Sequence, residues 1–450
     1  MTDVPSRATR GPRTFVLQRC EVRRDGAVIL VNGKLLEGDF KKVLAAMHQA
    51  TANAGFDDLM LDFTDCTAAS PGCMLPICAA ATFLRARHHN LSLRPPGADR
   101  LRRLFVNTNW AHLIDPRSYD PATRVIAGQV PATRFNSAAD QQLTVNRLIE
   151  ALLSNVSGLS RREFQAVEWT LNEVSDNVLN HAQSVTGGLI QLSVLEQAHR
   201  FVELVVVDAG IGIPNSLRST RPDLTDIEAL ELAIREGVTR DTNVGQGNGL
   251  FGTFQLCEKS KGFLRIDSGH ATLTFDLDAG VHIRSESVPF DGTVVDARMG
   301  LGVDRVLSLA LSFGGLEHRP VDLIENRYET DGLTHIDFVL SEETSSFGSR
   351  IAARPVRTKL RNLLEMCPDQ KVRVSFRGIR IVSSSFADEV FGRLFIELGP
   401  LTFMSRLELV SIDETVKMLV DRAISQRAVT DLGERLRGAL PVADYDGTYF

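Results

Sequence analysis

Hydrophobic and polar positions along the chain fall into three stretches with different rhythms. Up to about residue 115, short apolar runs alternate with helical periods. Thr14 to Leu17, Val28 to Val31 and Leu59 to Phe63 read as strands, and Phe40 to Ala54 reads as a helix between them. A long apolar helix is expected from Pro71 to about Arg87, with Ser70 at the N-cap and Pro71 at the first helical position. Pro76 inside it predicts a kink or a later start. The segment from Asp115-Pro116 to Val130-Pro131 reads as linker.

The middle stretch, about Ala132 to Ala297, opens with two helices, Ala139 to Leu153 and Arg161 to His181. Strands at Gly188 to Leu195 and Phe201 to Asp208 follow. A glycine-rich turn, a helix near Asp226 to Glu236, a second glycine cluster and strands near Phe263, Ala271 and Thr293 complete it. In the helix from Arg161, the residues Phe164, Val167, Leu171, Val174 and Val178 make one i, i+3, i+4 stripe that must face a core.

The last stretch, about Thr334 to Arg427, returns to strand–helix alternation. It reads as strand Thr334 to Leu340, helix Ser349 to Leu364, strand Val372 to Phe376, a serine-rich turn, helix Phe386 to Leu398, strand Leu407 to Val410 and a closing helix. Superimposing Phe376 on Phe63 carries strand, loop and helix of the first stretch onto the last without a gap. Ser70, Pro71 and Gly72 then stand opposite Ser383, Ser384 and Ser385. The expectation is a weak internal repeat flanking a different central domain, although chance alternation of two α/β units gives the same pattern. The implied division is 1–130, 131–300, a linker 301–330, 331–435 and a tail 436–450.

Composition narrows the class. A chain of 450 residues accommodates about three domains. Fifty Lys+Arg against 56 Asp+Glu leave a formal charge of -6, which argues against coating nucleic acid by bulk charge. No apolar run reaches the roughly 18–20 residues of a membrane helix, and the first residues lack the apolar core of a secretory signal. A cytoplasmic protein is expected. The six cysteines show no CxxC spacing, so neither a zinc site nor a disulfide framework is suggested.

Three polar constellations carry candidate chemistry. Glu173, Asn177 and His181 recur every fourth residue on one helical face; taken alone, a solvated face is the favoured reading of them. Asp208 ends the apolar strand Leu204 to Asp208 and runs into Ala209-Gly210-Ile211-Gly212-Ile213-Pro214. A carboxylate at the end of a buried strand needs a partner, and the glycines permit close backbone approach. Gly245-Gln-Gly247-Asn-Gly249-Leu-Phe-Gly252 precedes a helix whose free N–H groups would hold phosphate. A flexible loop is the plainer alternative.

ExxxN on a helix, DxGxG after a strand and GxGxG opening a helix, in this order, resemble the Bergerat (GHKL) ATP-binding fold. Gyrase, heat-shock chaperone ATPases, mismatch-repair ATPases, histidine kinases and anti-sigma-factor serine kinases share it. The resemblance covers about Gln141 to Ala297. It implies that Asn177 coordinates Mg²⁺ and that Glu173 is the general base, acting on water or an acceptor hydroxyl. It further implies that Asp208 accepts the adenine amino group and that Gly210 and Gly212 shape the adenine pocket. Gly245, Gly247, Gly249 and Gly252 would wrap the triphosphate. Phe290-Asp-Gly292-Thr293 looks like the last adenine-side strand, with Thr293 near the base. Arg240 in the lid could reach a γ-phosphate or be solvated, and His181 could be structural or contact phosphate. No histidine sits in a phospho-acceptor helix, so a histidine kinase is not expected.

The last stretch resembles STAS-like domains, the fold of anti-sigma-factor antagonists. Ser384 stands where that family carries its phosphorylated serine, with Ser-Ser-Ser in place of the commoner Asp-Ser-Ser. A capping box of Ser385 with Asp388 is the structural alternative. The first stretch is similar to the same fold only in outline, and Pro71 at its acceptor position leaves docking or autoinhibition as its role.

The expected class is therefore α/β (α+β): a central Bergerat-fold sandwich flanked by two small STAS-like domains. The expected function is an ATP-binding regulatory protein that uses Mg-ATP binding and turnover to control protein contacts, most like an anti-sigma-type serine kinase. The alternative is an ATPase switch in a multiprotein assembly. Expected partners are proteins, either STAS domains, sigma-factor-like proteins or assembly subunits. No membrane is expected and nucleic acid is not indicated; a homodimer is one arrangement this allows.

Overall fold

The computed structural model describes residues 19–126, 128–196, 200–238, 248–302, 310–313, 316–317, 320–329 and 334–439. The chain is mixed α/β and divides into two compact units, one ending at Ala122 and one beginning at Thr123. The expected strand Thr14 to Leu17 lies outside the described residues.

In the first unit, strands β1 (Glu21–Asp25) and β2 (Val28–Leu35) form a hairpin. Strands β3 (Asp58–Asp62) and β5 (Asn90–Arg94) extend it in parallel, while β4 (Cys66–Ala69) pairs with the far end of β2. Helices α1 (Phe40–His48) and α2 (Pro71–Ala86) make the parallel crossovers, and α3 (Asp99–Asn107) and α4 (Trp110–Ile114) follow β5. Ser70 does occupy the N-cap of α2 with extended backbone. The helix runs through Pro76 without ending there.

The second unit opens with a helical hairpin. Ser137 caps α5 (Ala138–Asn155), and a complete Ser160/Glu163 capping box opens α6 (Arg161–Asn177). The stripe read from the sequence is buried at every position. Against it lies an antiparallel sheet in the order β6 (Thr133–Phe135), β7 (Gly188–Glu196), β8 (Arg200–Asp208), β10 (Gly280–Gly300), β9 (Phe263–Asp276). Val202, Leu204 and Val206 of β8 join the helix-side core, as period-2 alternation requires. The expected strands at Phe263 and Ala271 are one strand, because the hairpin they begin stays paired far beyond the sheet body. Helices α7 (Gly212–Arg218), α8 (Asp226–Ala233) and α9 (Gly249–Lys259) complete this region. The helix α7 sits where the sequence suggested only a turn.

Short strands β11 (Ser312–Phe313) and β12 (Leu316–Glu317) and helix α10 (Leu323–Arg327) lead to a parallel sheet of β13 (His335–Val339), β14 (Lys371–Ser375) and β15 (Leu407–Val410). Its crossovers are α11 (Arg350–Met366) and a helical run formed by α12 (Ser384–Ala387), a π-turn (Asp388–Gly392) and α13 (Arg393–Leu398). Then α14 (Pro400–Arg406) precedes β15, and α15 (Glu414–Ala439) closes the chain.

The alignment of Phe63 with Phe376 has a structural counterpart. Each is buried just past its strand, and each N–H donates to the last carbonyl of the next parallel strand, Arg94 at 2.9 Å and Val410 at 3.0 Å. Each carbonyl accepts from the residue three further on, Cys66 and Ile379, at 2.9 Å. Ser70 and Ser383 are then both N-caps with near-identical ψ of 155° and 154°. The same strand–turn–helix unit is built twice.

The central and C-terminal sheets share one continuous hydrophobic core. A polar contact seals the junction: the buried Asn362 of α11 donates both amide hydrogens to the carbonyls of Leu153 and Val156, each at 2.7 Å. These carbonyls stand at the end of α5, where the helix offers them no partner. Replacing Asn362 with Ala strands both and should cost about 2 kcal/mol in denaturant unfolding. Asn362→Asp should cost as much or more, because it loses one donating group and buries a charge.

Candidate functional site

The site is built around the C-terminal end of β8. Asp208 ends the strand 3% exposed and pairs in register with Thr293 of β10 on one side and Gly188 of β7 on the other. Its carboxylate accepts from Gly210 N–H at 2.8 Å. Burial pushes its pKa up to about 7, against the lowering pull of hydrogen bonds from Gly210 and Thr293. The donors are neutral, so the acid is held by geometry and not by a counter-charge.

The turn after Asp208 needs its glycines for different reasons. A Cβ on Gly210 would lie 2.0 Å from the Ala182 carbonyl, in the π-turn that ends α6. Gly212 has φ of 75°, and a Cβ there would meet Ser268 Oγ at 2.6 Å. Ser268 accepts from Ile213 N–H at 2.9 Å and donates to the Gly292 carbonyl at 2.7 Å. It thus staples the turn to β9 and β10 together.

The ExxxN helix and the glycines opening α9 converge as well. Gly249 is the first residue of α9. A Cβ on it would sit 2.6 Å from Glu173 Oε2 and 3.5 Å from Asn177 Nδ2. Two segments far apart in the chain, the C-terminal end of α6 and the opening of α9, therefore meet at the N-terminus of α9. Gly252 lets that helix lie against the Trp169 indole of α6, where a Cβ would be 2.3 Å from the ring. Burial, with Asp176 adding its charge, pushes the Glu173 carboxyl up to about 7. His181 falls in the π-turn, beyond the regular helix that carries Glu173 and Asn177. Gly245, Gly247 and Arg240 lie outside the described residues.

Ser268 and Trp169 are the positioning residues that sequence reasoning missed. Neither has a local signature, since each matters only through a partner on another element.

Ser384 is exposed in the first turn of α12. The cap of that helix is not Ser385. Ser383 is the N-cap, its Oγ accepting from Phe386 N–H at 3.0 Å, because the chain turns helical two residues earlier than the apolar pattern implied. Asp388 is drawn instead to Arg427 and Arg350, at 2.6 and 2.8 Å.

Among the described residues, no group of three or more His, Cys, Asp or Glu could hold a metal ion, no helix is long and apolar enough to cross a membrane, and all six cysteines are free and buried. Residues 352–417 match the family model of a STAS-like domain of unknown function (DUF4325). Among curated proteins, none matches the chain.

Two outcomes are expected. Ser383→Ala should lower stability by about 1 kcal/mol while Ser385→Ala leaves it nearly unchanged, in parallel thermal melts. For Asp208, a raised folded-state pKa means that the stability the group contributes is present at low pH and lost as pH rises through about 7. Wild type should therefore lose stability relative to Asp208→Asn between pH 4 and 8, measured by denaturant titration without nucleotide.

Proposed function

We propose that the central domain, from about residue 131 to 300, is an ATP-binding domain of Bergerat type, and that its Mg-ATP binding and turnover control protein contacts. The observation that carries this reading is the meeting of Glu173, Asn177 and Gly249 at the opening of α9. Asp208 lies with its glycine turn at the end of the neighbouring strand. An adenine amino group has a buried acceptor in Asp208, with Gly210, Gly212 and Thr293 as the walls. Phosphates have the N-terminal end of α9 and its dipole.

The residues fit Mg²⁺ only in company with a substrate. Asn177 offers one side-chain oxygen and, among the described residues, no acidic cluster stands ready, so the remaining ligands would be phosphate oxygens and water. Bound in this way, the ion supplies neutralisation of phosphate charge. The protein's own contribution is to orient the phosphates along α9 and to take a proton at Glu173 from the attacking group. A carboxyl with a pKa near 7 is suited to that exchange at neutral pH.

The STAS-like domain gives the activity a regulatory setting, because such domains commonly mediate protein interactions. Its exposed Ser384 is a candidate acceptor hydroxyl, on this or another copy, and the first unit shares the strand–helix order while offering Pro71 at the same place. A STAS-domain or sigma-factor-like protein is the partner class this favours. If water is the acceptor instead, the same base and metal ligand serve an ATPase switch.

The test is the fate of γ-labelled ATP with the purified full-length chain. Label on protein, mapped to Ser384 or to a STAS partner, supports phosphotransfer; free phosphate alone supports the ATPase switch; neither product overturns turnover altogether. Glu173→Gln should keep nucleotide binding and lose turnover by about 100-fold or more. Asn177→Ala should lose the Mg²⁺-dependent part of binding. In wild type, turnover should rise with pH through about 7, reaching only about a tenth of its plateau at pH 6. A flat profile would remove Glu173 from the base role.

A further inference from the structure

The STAS-like domain carries a concentration of arginine that its fold does not require. Arg350, Arg354, Arg357 and Arg361 recur at intervals of four, three and four on α11, which places their guanidinium groups along one stripe of the helix. Arg393 of α13 and Arg427 of α15 join them. The acids beneath come chiefly from the π-turn. The Glu389 side chain is fully buried, with Arg393 Nε at 3.1 Å, Arg357 Nη2 at 3.3 Å, Arg350 Nε at 3.7 Å and Arg354 Nε at 3.8 Å from its oxygens. Asp388 takes Arg350 and Arg427. Glu397 takes Arg357 and Arg361, and Glu365 takes Arg361.

Leaving Arg427 aside, among the described ion pairs Arg350, Arg354, Arg357, Arg361 and Arg393 share Glu389, Asp388, Glu397 and Glu365, a concentration of positive charge on a chain of net negative charge. Four of them crowd one carboxylate at ion-pair range. Both Glu389 oxygens and the Nε atoms of Arg357 and Arg393 are buried without a hydrogen-bond partner. Arginine cannot relieve such crowding by losing its proton, and like charges held close together favour a further anion. The array is also open outward: the Arg354 side chain is 64% exposed, Arg350 42% and Arg393 38%. A cavity of about 660 Å³ lined by Asp388, Ser425, Gln426, Arg427, Val429 and Thr430 opens beside it.

We propose that this array is a binding site for a phosphate-type oxyanion, with Glu389 fixing the guanidinium groups from below and Arg350, Arg354 and Arg393 presenting their forks to the ligand. Several planar forks converging on one group suit an anion with three or more acceptor oxygens, which each fork engages through paired hydrogen bonds. The site is independent of the nucleotide reading, since none of its residues belongs to the β8–α9 region.

Calorimetric titration of the full-length chain with pyrophosphate, inorganic phosphate and O-phosphoserine, at matched ionic strength, tests it. Saturable binding of at least one of them is expected with Kd below about 1 mM. It should weaken about ten-fold or more in the Arg354→Gln, Arg393→Gln double variant and remain in Asn177→Ala. The single Arg354→Gln variant, at a largely exposed position, should weaken binding about three-fold with an unchanged melting temperature, so a folding defect in the double variant does not shield the claim. Tighter binding of O-phosphoserine than of inorganic phosphate assigns the group to a modified side chain; the reverse order assigns it to free phosphate. No saturable binding, binding indifferent to both arginine changes, or binding lost in Asn177→Ala overturns the proposal.

Discussion

A buried carboxylate with neutral donors is the constraint from which the central domain is built. Asp208 sits at the end of an interior strand, where an unpaired acid is expensive, and it is satisfied by Gly210 N–H and Thr293. Those donors reach it only because the chain turns at once beneath Asp208, and the turn is possible only with glycine facing the Ala182 carbonyl and the Ser268 hydroxyl. Replacing Asp208 by an apolar residue would simplify this packing. Keeping the acid there instead leaves a polar acceptor at the end of an interior strand.

The second dependence runs along α6. Its C-terminal end carries Glu173 and Asn177, against the first residue of α9. Its N-terminal end is held by the chain that leads into and includes the STAS-like domain: Arg161 pairs with Asp322 and Glu329 and donates to Cys367 Sγ at 3.0 Å. Twelve residues separate Arg161 from Glu173, about 18 Å along a helix. Asn362 grips the neighbouring α5 near the same turn. The α5–α6 hairpin therefore belongs to both regions, and the shared core makes the STAS-like domain a packed component of the second unit.

Much of this was legible in the sequence where the signal is local or periodic. The stripe on α6, its start at Arg161, the strand ending at Asp208 and the order of the three polar motifs all follow from spacing. The equivalence of Phe63 and Phe376 was legible because two turns of identical length carry the same hydrogen bonds. What was not legible depends on partners from elsewhere. Ser268 is one serine in a long strand until Gly212 and Gly292 meet it, and Trp169 is one more core aromatic until Gly252 lies on it. Asn362 looks like a solvated helix residue until the end of α5 arrives. The serine turn was misread for a different reason: apolar periodicity begins at Phe386, whereas the hydrogen-bonding of Ser383 starts the helix before any apolar residue marks it.

The central claim is that segments distant in sequence form one nucleotide site, and hydrogen exchange with and without Mg-ATP addresses it most directly. The account predicts that Mg-ATP slows exchange together in residues 173–182, 205–213, 248–253 and 290–294, with the first unit unchanged. Unaltered exchange in these four segments, or protection confined to other parts of the chain, would contradict it.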